Sequence, residues 1–121
     1  MTTLKRPSEI LNELQAAHQA REQGNEGKAR VCARRAAGWA ISLRYDDPKT
    51  SVPVSAYRVL QWFQVQDFVP QRLKLAAARL TTQINEGHNL PHQQDPLEDA
   101  RNLVEAMLAD REEQVDKPAD G

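Results

Sequence analysis

Residues 28–44, KARVCARRAAGWAISLR, restrict the possible folds more than any other part of the chain. Wound as an α-helix, this stretch brings Ala29, Ala33, Ala36 and Ala40 into one stripe, because steps of four, three and four residues return to the same face. Cys32, Trp39 and Leu43 flank that stripe. Small side chains let a second helix approach closely, and the large neighbours fill the space beside it. The pattern is that of a helix surrounded by partners rather than one lying on a surface.

The rest of the chain can supply those partners. Ser8 is placed to cap a first helix reaching about residue 23, with Ile10, Leu11, Leu14 and Ala17 as its apolar stripe. Gly24 ends it and Asn25 caps the central helix, and so short a link makes the pair an antiparallel hairpin. Residues 45–54, YDDPKTSVPV, read as a loop constrained by two prolines. A third helix is expected from about 55 to 68. Ala56, Val59, Leu60 and Phe63 share one of its faces; Trp62, Val65 and Val69 share another. Pro70 marks a kink or a fresh start, after which Leu73, Ala76, Ala77, Leu80 and Ile84 outline a fourth helix stopped by Gly87. Asp95-Pro96-Leu97-Glu98 combines a capping acid, a proline at the first helical position and an acid in the first turn. The fifth helix it opens should reach about residue 113 and face the core with Leu97, Ala100, Leu103 or Val104, Met107 and Leu108. Five helices, short links and no strand-like alternation predict an all-α, largely antiparallel up-and-down bundle. The expectation is a single domain over residues 1–121, with 1–7 and 114–121 as flexible ends.

Composition narrows the functional classes. An apolar fraction of 40% is enough for a core, and no apolar run has membrane-spanning length. The opening MTTLKRPSE has no signal-like segment, so a cytoplasmic location without membrane attachment is expected. Cys32 has no second cysteine to pair with and, in an apolar stripe, reads as a small core residue. The net charge of −1 hides an asymmetry: residues 1–94 hold 13 Lys/Arg against 8 Asp/Glu, and residues 95–121 hold 3 against 9. That division suits an acidic last helix packed beside basic neighbours, and it leaves room for a basic surface that meets nucleic acid.

Candidate sites follow from the same helices. Lys28, Arg30, Arg34 and Arg35 put four cations on the central helix, a set able to meet the phosphate of a nucleic acid or nucleotide, since clustered arginines bind anions bidentately. Trp62, Val65 and Val69 form an apolar face without an assigned partner inside the domain, the natural interface for a homodimer or another protein. Asp46-Asp47 reads as a turn. His88 and His92 are four apart, but Pro91 between them breaks the helix that would aim both at one metal, so neither metal nor cofactor is expected. No phosphate-cradling glycine loop, nucleophile elbow, HExxH or CxxC occurs, and no catalytic residue is assigned.

The run EQGNEGKARVCARRAAGWAI, residues 22–41, resembles the hairpin of HEPN-type domains, in which a Gly-Asn turn precedes a long helix with small residues at A-x-x-x-A-x-x-A-type spacing. DPLEDARNLVEAML is similar to the closing helix of such domains. The resemblance implies an all-α HEPN-like bundle that associates as a homodimer or with a regulatory or nucleotidyltransferase partner. Catalytic members are metal-independent ribonucleases with an Arg and a following His separated by four to six residues. Arg101-Asn102 resembles the start of that motif, but the window for the imidazole holds Ala106, Met107 and Leu108. Without an imidazole to move protons at the ribose hydroxyl, that chemistry is not expected. A tetratricopeptide-like hairpin would also place glycine and alanine as in residues 16–36, but one 34-residue period after Gly24 stands Arg58. A helical DNA-binding module would use Arg72, Lys74 and Arg79, which are sparse for that purpose.

Overall fold

A computed structural model of the chain describes residues 4–46, 55–82 and 95–116, with side chains as far as residue 109. Five helices make up the regular structure: α1 (Pro7–Glu22), α2 (Glu26–Arg44), α3 (Ala56–Gln64), α4 (Gln71–Leu80) and α5 (Pro96–Asp116). No strand occurs among the described residues, and the class is all-α as the periodicities require.

Helix α2 lies in the middle. It packs against α1, α3 and α5, while α4 closes against α3 and α5. Ala29, Ala33, Ala36, Ala37 and Ala40 are fully buried, and Cys32 sits among them as a small apolar residue. Their lack of bulk lets neighbouring helices surround α2. The closest approach is at Gly38: a methyl group there would stand 2.7 Å from the Cβ and 2.8 Å from the Cα of Ala56 at the start of α3.

Ion pairs fix the direction of the first hairpin. Arg21 meets Glu26 beside the turn and Arg35 meets Glu13 farther along, so α1 and α2 run antiparallel. Gly24 makes that reversal with φ +81, a conformation that strains any residue with a side chain. The oxygen of Asn25 then accepts from the Lys28 N–H, capping α2. Between α2 and α3 the contacts advance together: Gly38 lies beside Ala56, and the Tyr45 ring beside Trp62 and Phe63. Here the third helix follows α2 in direction.

Four helix ends differ from expectation, α5 running to Asp116 instead of stopping near residue 113. Helix α1 starts at Pro7 with Arg6, not Ser8, as its cap residue, because the Arg6 N–H donates to Glu9 Oε1 at 3.0 Å and proline favours the first helical position. Helix α3 stops at Gln64, short of residue 68. The side-chain amides of Gln64 and Gln66 donate to the carbonyls of Leu60 and Trp62, and Pro70 disfavours helical backbone at Val69. Pro70 is therefore a fresh start, its carbonyl accepting from the Leu73 and Lys74 N–H groups. Helix α4 ends at Leu80, where the hydroxyls of Thr81 and Thr82 donate to the Ala78 carbonyl and compete with helix continuation. Ile84 and Gly87 lie outside the described residues. The Asp95 cap is as expected, its Oδ1 accepting from the Leu97 N–H at 3.1 Å.

The Gly38–Ala56 approach leaves no space for a branched side chain. Gly38→Val should destabilise the fold by about 3 kcal/mol or more, overpacking and lost helix propensity acting together, and lower Tm by roughly 10 °C. Gly27→Ala is the control: the nearest atom to an added methyl is Asn25 Oδ1 at 3.9 Å, so thermal unfolding should show no loss of stability.

Candidate functional site

Most charged groups inside the bundle are committed to one another. Arg21 holds two carboxylates from other segments: its Nε donates to Glu26 at 3.0 Å, and its two terminal nitrogens donate to Asp95 at 2.7 and 2.9 Å. One guanidinium thereby ties the end of α1 to the starts of α2 and α5. Hydrogen bonding to Arg21 is the chief cause that lowers the carboxyls of Glu26 and Asp95 below their usual values of 4.5 and 3.8. Arg79 on α4 reaches both oxygens of Asp99 on α5 at 2.8 Å, and Asp99 is only 3% exposed. Arg79 is thus engaged with α5, which removes it from the surface set expected with Arg72 and Lys74.

The four cations expected to act together on α2 separate onto different sides. Arg35 turns toward α1, where its Nε donates to Glu13 Oε2 at 2.7 Å and a terminal nitrogen approaches Cys32 Sγ. Lys28 is exposed and apart from the cleft described next. Arg30 and Arg34 stay together, lining a cleft of about 330 Å³ with Gly27, Val31, Tyr57, Thr81 and Thr82. Arg34 donates through Nε to the Leu80 carbonyl at 3.1 Å and lies over the Tyr57 ring at 5.9 Å, so its planar end is held from two directions. Arg30 comes within 4.0 Å of Glu26, too far for a hydrogen bond. The cleft joins α2 to the end of α4 and the start of α3. Sequence spacing could pair Arg30 with Arg34, but it had no means of placing Tyr57, Thr81 and Thr82 opposite them.

The expected interface residues also part company. Val69 is buried in the core, Trp62 is half-buried and Val65 is 74% exposed. Around them stands an aromatic cluster that periodicity missed. The Tyr45 ring lies 5.8 Å from Trp62 and 5.1 Å from Phe68, and Trp62 lies 6.2 Å from Phe68. Phe68 remains 54% exposed. The available signal was Pro70, which ends regular structure and leaves Phe68 on a turn instead of a helix face.

Arg101 is exposed and pairs with Glu98 on its own helix at 2.8 Å, while Met107 and Leu108 are buried in the core. Among the described residues, no group of three or more His, Cys, Asp or Glu could hold a metal. Asp47, His88 and His92 lie outside them. No helix among the described residues is long and apolar enough to cross a membrane. The chain matches no protein-family model, and no curated protein or solved structure aligns with it.

Two stability predictions follow from the ion pairs. Asp99→Ala leaves the part-buried guanidinium of Arg79 without its carboxylate and should cost about 1–3 kcal/mol in chemical denaturation, whereas the apolar double variant Arg79→Met/Asp99→Leu should recover most of it. The carboxyls held low by Arg21 stabilise the fold at neutral pH, and that contribution disappears as pH falls through and below the range of free carboxyls, about 4.5 to 3.8. The stability gap between the native chain and Arg21→Met should therefore be widest near neutrality and narrow on acidification, read as the difference in Tm across a pH series.

Proposed function

We propose that this chain is a non-catalytic helical association domain of HEPN-like type, which acts by joining a second copy of itself. The observation that carries the reading is the apolar cluster where α3 meets α4. Phe68 and Val65 are exposed beside the half-buried rings of Tyr45 and Trp62, although aromatic residues make up only 5% of the chain. Burying a phenylalanine side chain contributes about 1.5–3 kcal/mol, so covering this patch with a like patch is favourable, and a self-complementary face is what a two-fold dimer requires. The surface differs from the expected helix face: Val65 and Trp62 belong to it, Val69 does not, and Phe68 joins it.

The HEPN resemblance of residues 22–41 supports the same reading and adds a regulatory or nucleotidyltransferase protein as the alternative partner. At the positions after Arg101 where a catalytic member carries histidine, this chain has Ala106 and the core residues Met107 and Leu108. An imidazole there would displace core packing, which is why the reading is association rather than ribonuclease chemistry.

Sedimentation equilibrium across the micromolar range should find a dimer, and Phe68→Asp should weaken it at least tenfold, equivalent to about 1.4 kcal/mol. Trp62→Ala should act in the same direction, with little dependence on salt. A monomer at every concentration would remove self-association, and a dimer indifferent to both substitutions would show that another surface is used.

A further inference from the structure

The cleft between α2, α3 and α4 has a different chemistry from the aromatic cluster. We propose that it binds a small phosphate monoester carrying a planar group, of the size of a mononucleotide, with the phosphate on Arg30 and Arg34 and the planar group against Tyr57 and Val31. Arg34 is the anchor. Its Nε is used by the Leu80 carbonyl, its plane rests near Tyr57, and its two terminal nitrogens make no hydrogen bond among the described residues. A guanidinium fixed by its inner nitrogen presents an outer edge already shaped for two oxygens of a phosphate. Arg30 lines the same cleft one turn away and makes no side-chain hydrogen bond among the described residues, only the 4.0 Å approach to Glu26. Glu26 opposes an incoming anion weakly, because Arg21 already neutralises it.

Other features of the cleft point the same way. Gly27 brings the first turn of α2 to its wall with no side chain in front, and the positive end of a helix favours an anion. Tyr57 is 38% and Val31 44% exposed, so an apolar surface lies beside the two cations. At about 330 Å³ the space suits a small ligand. A polymer is the poorer fit: a backbone track needs cations in succession, yet Arg35 faces α1 with Glu13 and Lys28 does not line the cleft.

Isothermal titration of the intact chain with adenosine monophosphate, inorganic phosphate, adenosine and a short single-stranded oligonucleotide tests this. Adenosine monophosphate should bind one to one, inorganic phosphate should compete more weakly, and adenosine alone should give no saturable heat. Arg30→Met and Arg34→Met should each weaken the nucleotide at least tenfold, and Arg35→Met should leave it unchanged. Arg34→Met also removes a contact at the end of α4, so Arg30→Met, which gives up no hydrogen bond, decides the matter if the other variant unfolds. No saturable nucleotide binding at millimolar concentration, or undiminished binding by Arg30→Met, overturns the proposal. So does nucleotide affinity no better than that of inorganic phosphate, which removes the role of Tyr57 and Val31. Oligonucleotide binding that Lys28→Met and Arg35→Met weaken as much as Arg30→Met also overturns it, in favour of a polymer on the α2 surface.

Discussion

Close contact between backbones, made possible by side chains of one carbon or none, is the interaction on which this bundle depends. Ala29, Ala33, Ala36, Ala37 and Ala40 exclude water completely, and Gly38 meets Ala56 where even a methyl group has no room. Packing of this kind fixes distances more tightly than it fixes sequence elsewhere, because a gain of volume on α2 can be relieved only by moving a whole neighbouring helix. The larger residues that seal the interior, Ile10, Ile41, Phe63, Leu97 and Leu103, come mainly from the edges of α2 and from its partners.

Charge then decides how the acidic last helix is seated. Arg21 and Arg79 come from different helices and grip Asp95 and Asp99 near the start of α5, each through two nitrogens. Hydrophobic burial of Leu97, Ala100, Leu103 and Val104 would hold α5 against α2, but apolar packing alone discriminates poorly between neighbouring registers. A buried carboxylate facing one guanidinium penalises a shift by leaving both charges unpaired. The uneven division of charge along the chain therefore has a structural use before any ligand is considered.

Helix periodicity made much of this architecture legible. The alanine stripe, the Asn25 and Asp95 caps and the inward face of α5 are all local patterns, and local patterns survive folding. Helix ends were harder, because side chains settled them: Gln64 and Gln66 close α3, and Thr81 and Thr82 close α4. The candidate sites were legible only in part for a related reason. Four cations within eight residues of one helix look like a cluster until Glu13 draws Arg35 aside and the ends of α3 and α4 enclose Arg30 and Arg34. Val69 reads as part of an exposed face until the early end of α3 turns it inward. Contacts between residues far apart in the chain leave no periodic trace, and Arg79 with Asp99 is the clearest instance.

The alanine lining of α2 has a consequence for motion. An alanine has no rotamers to lose on packing, so the central seam orders without side-chain entropy and holds no alternative side-chain arrangements into which it could relax. Any slow conformational exchange in the middle of this protein must then take the form of whole helices sliding or tilting. Long side chains that no hydrogen bond holds among the described residues, such as Arg30, lie at the margin of α2, where a change of rotamer leaves the centre undisturbed.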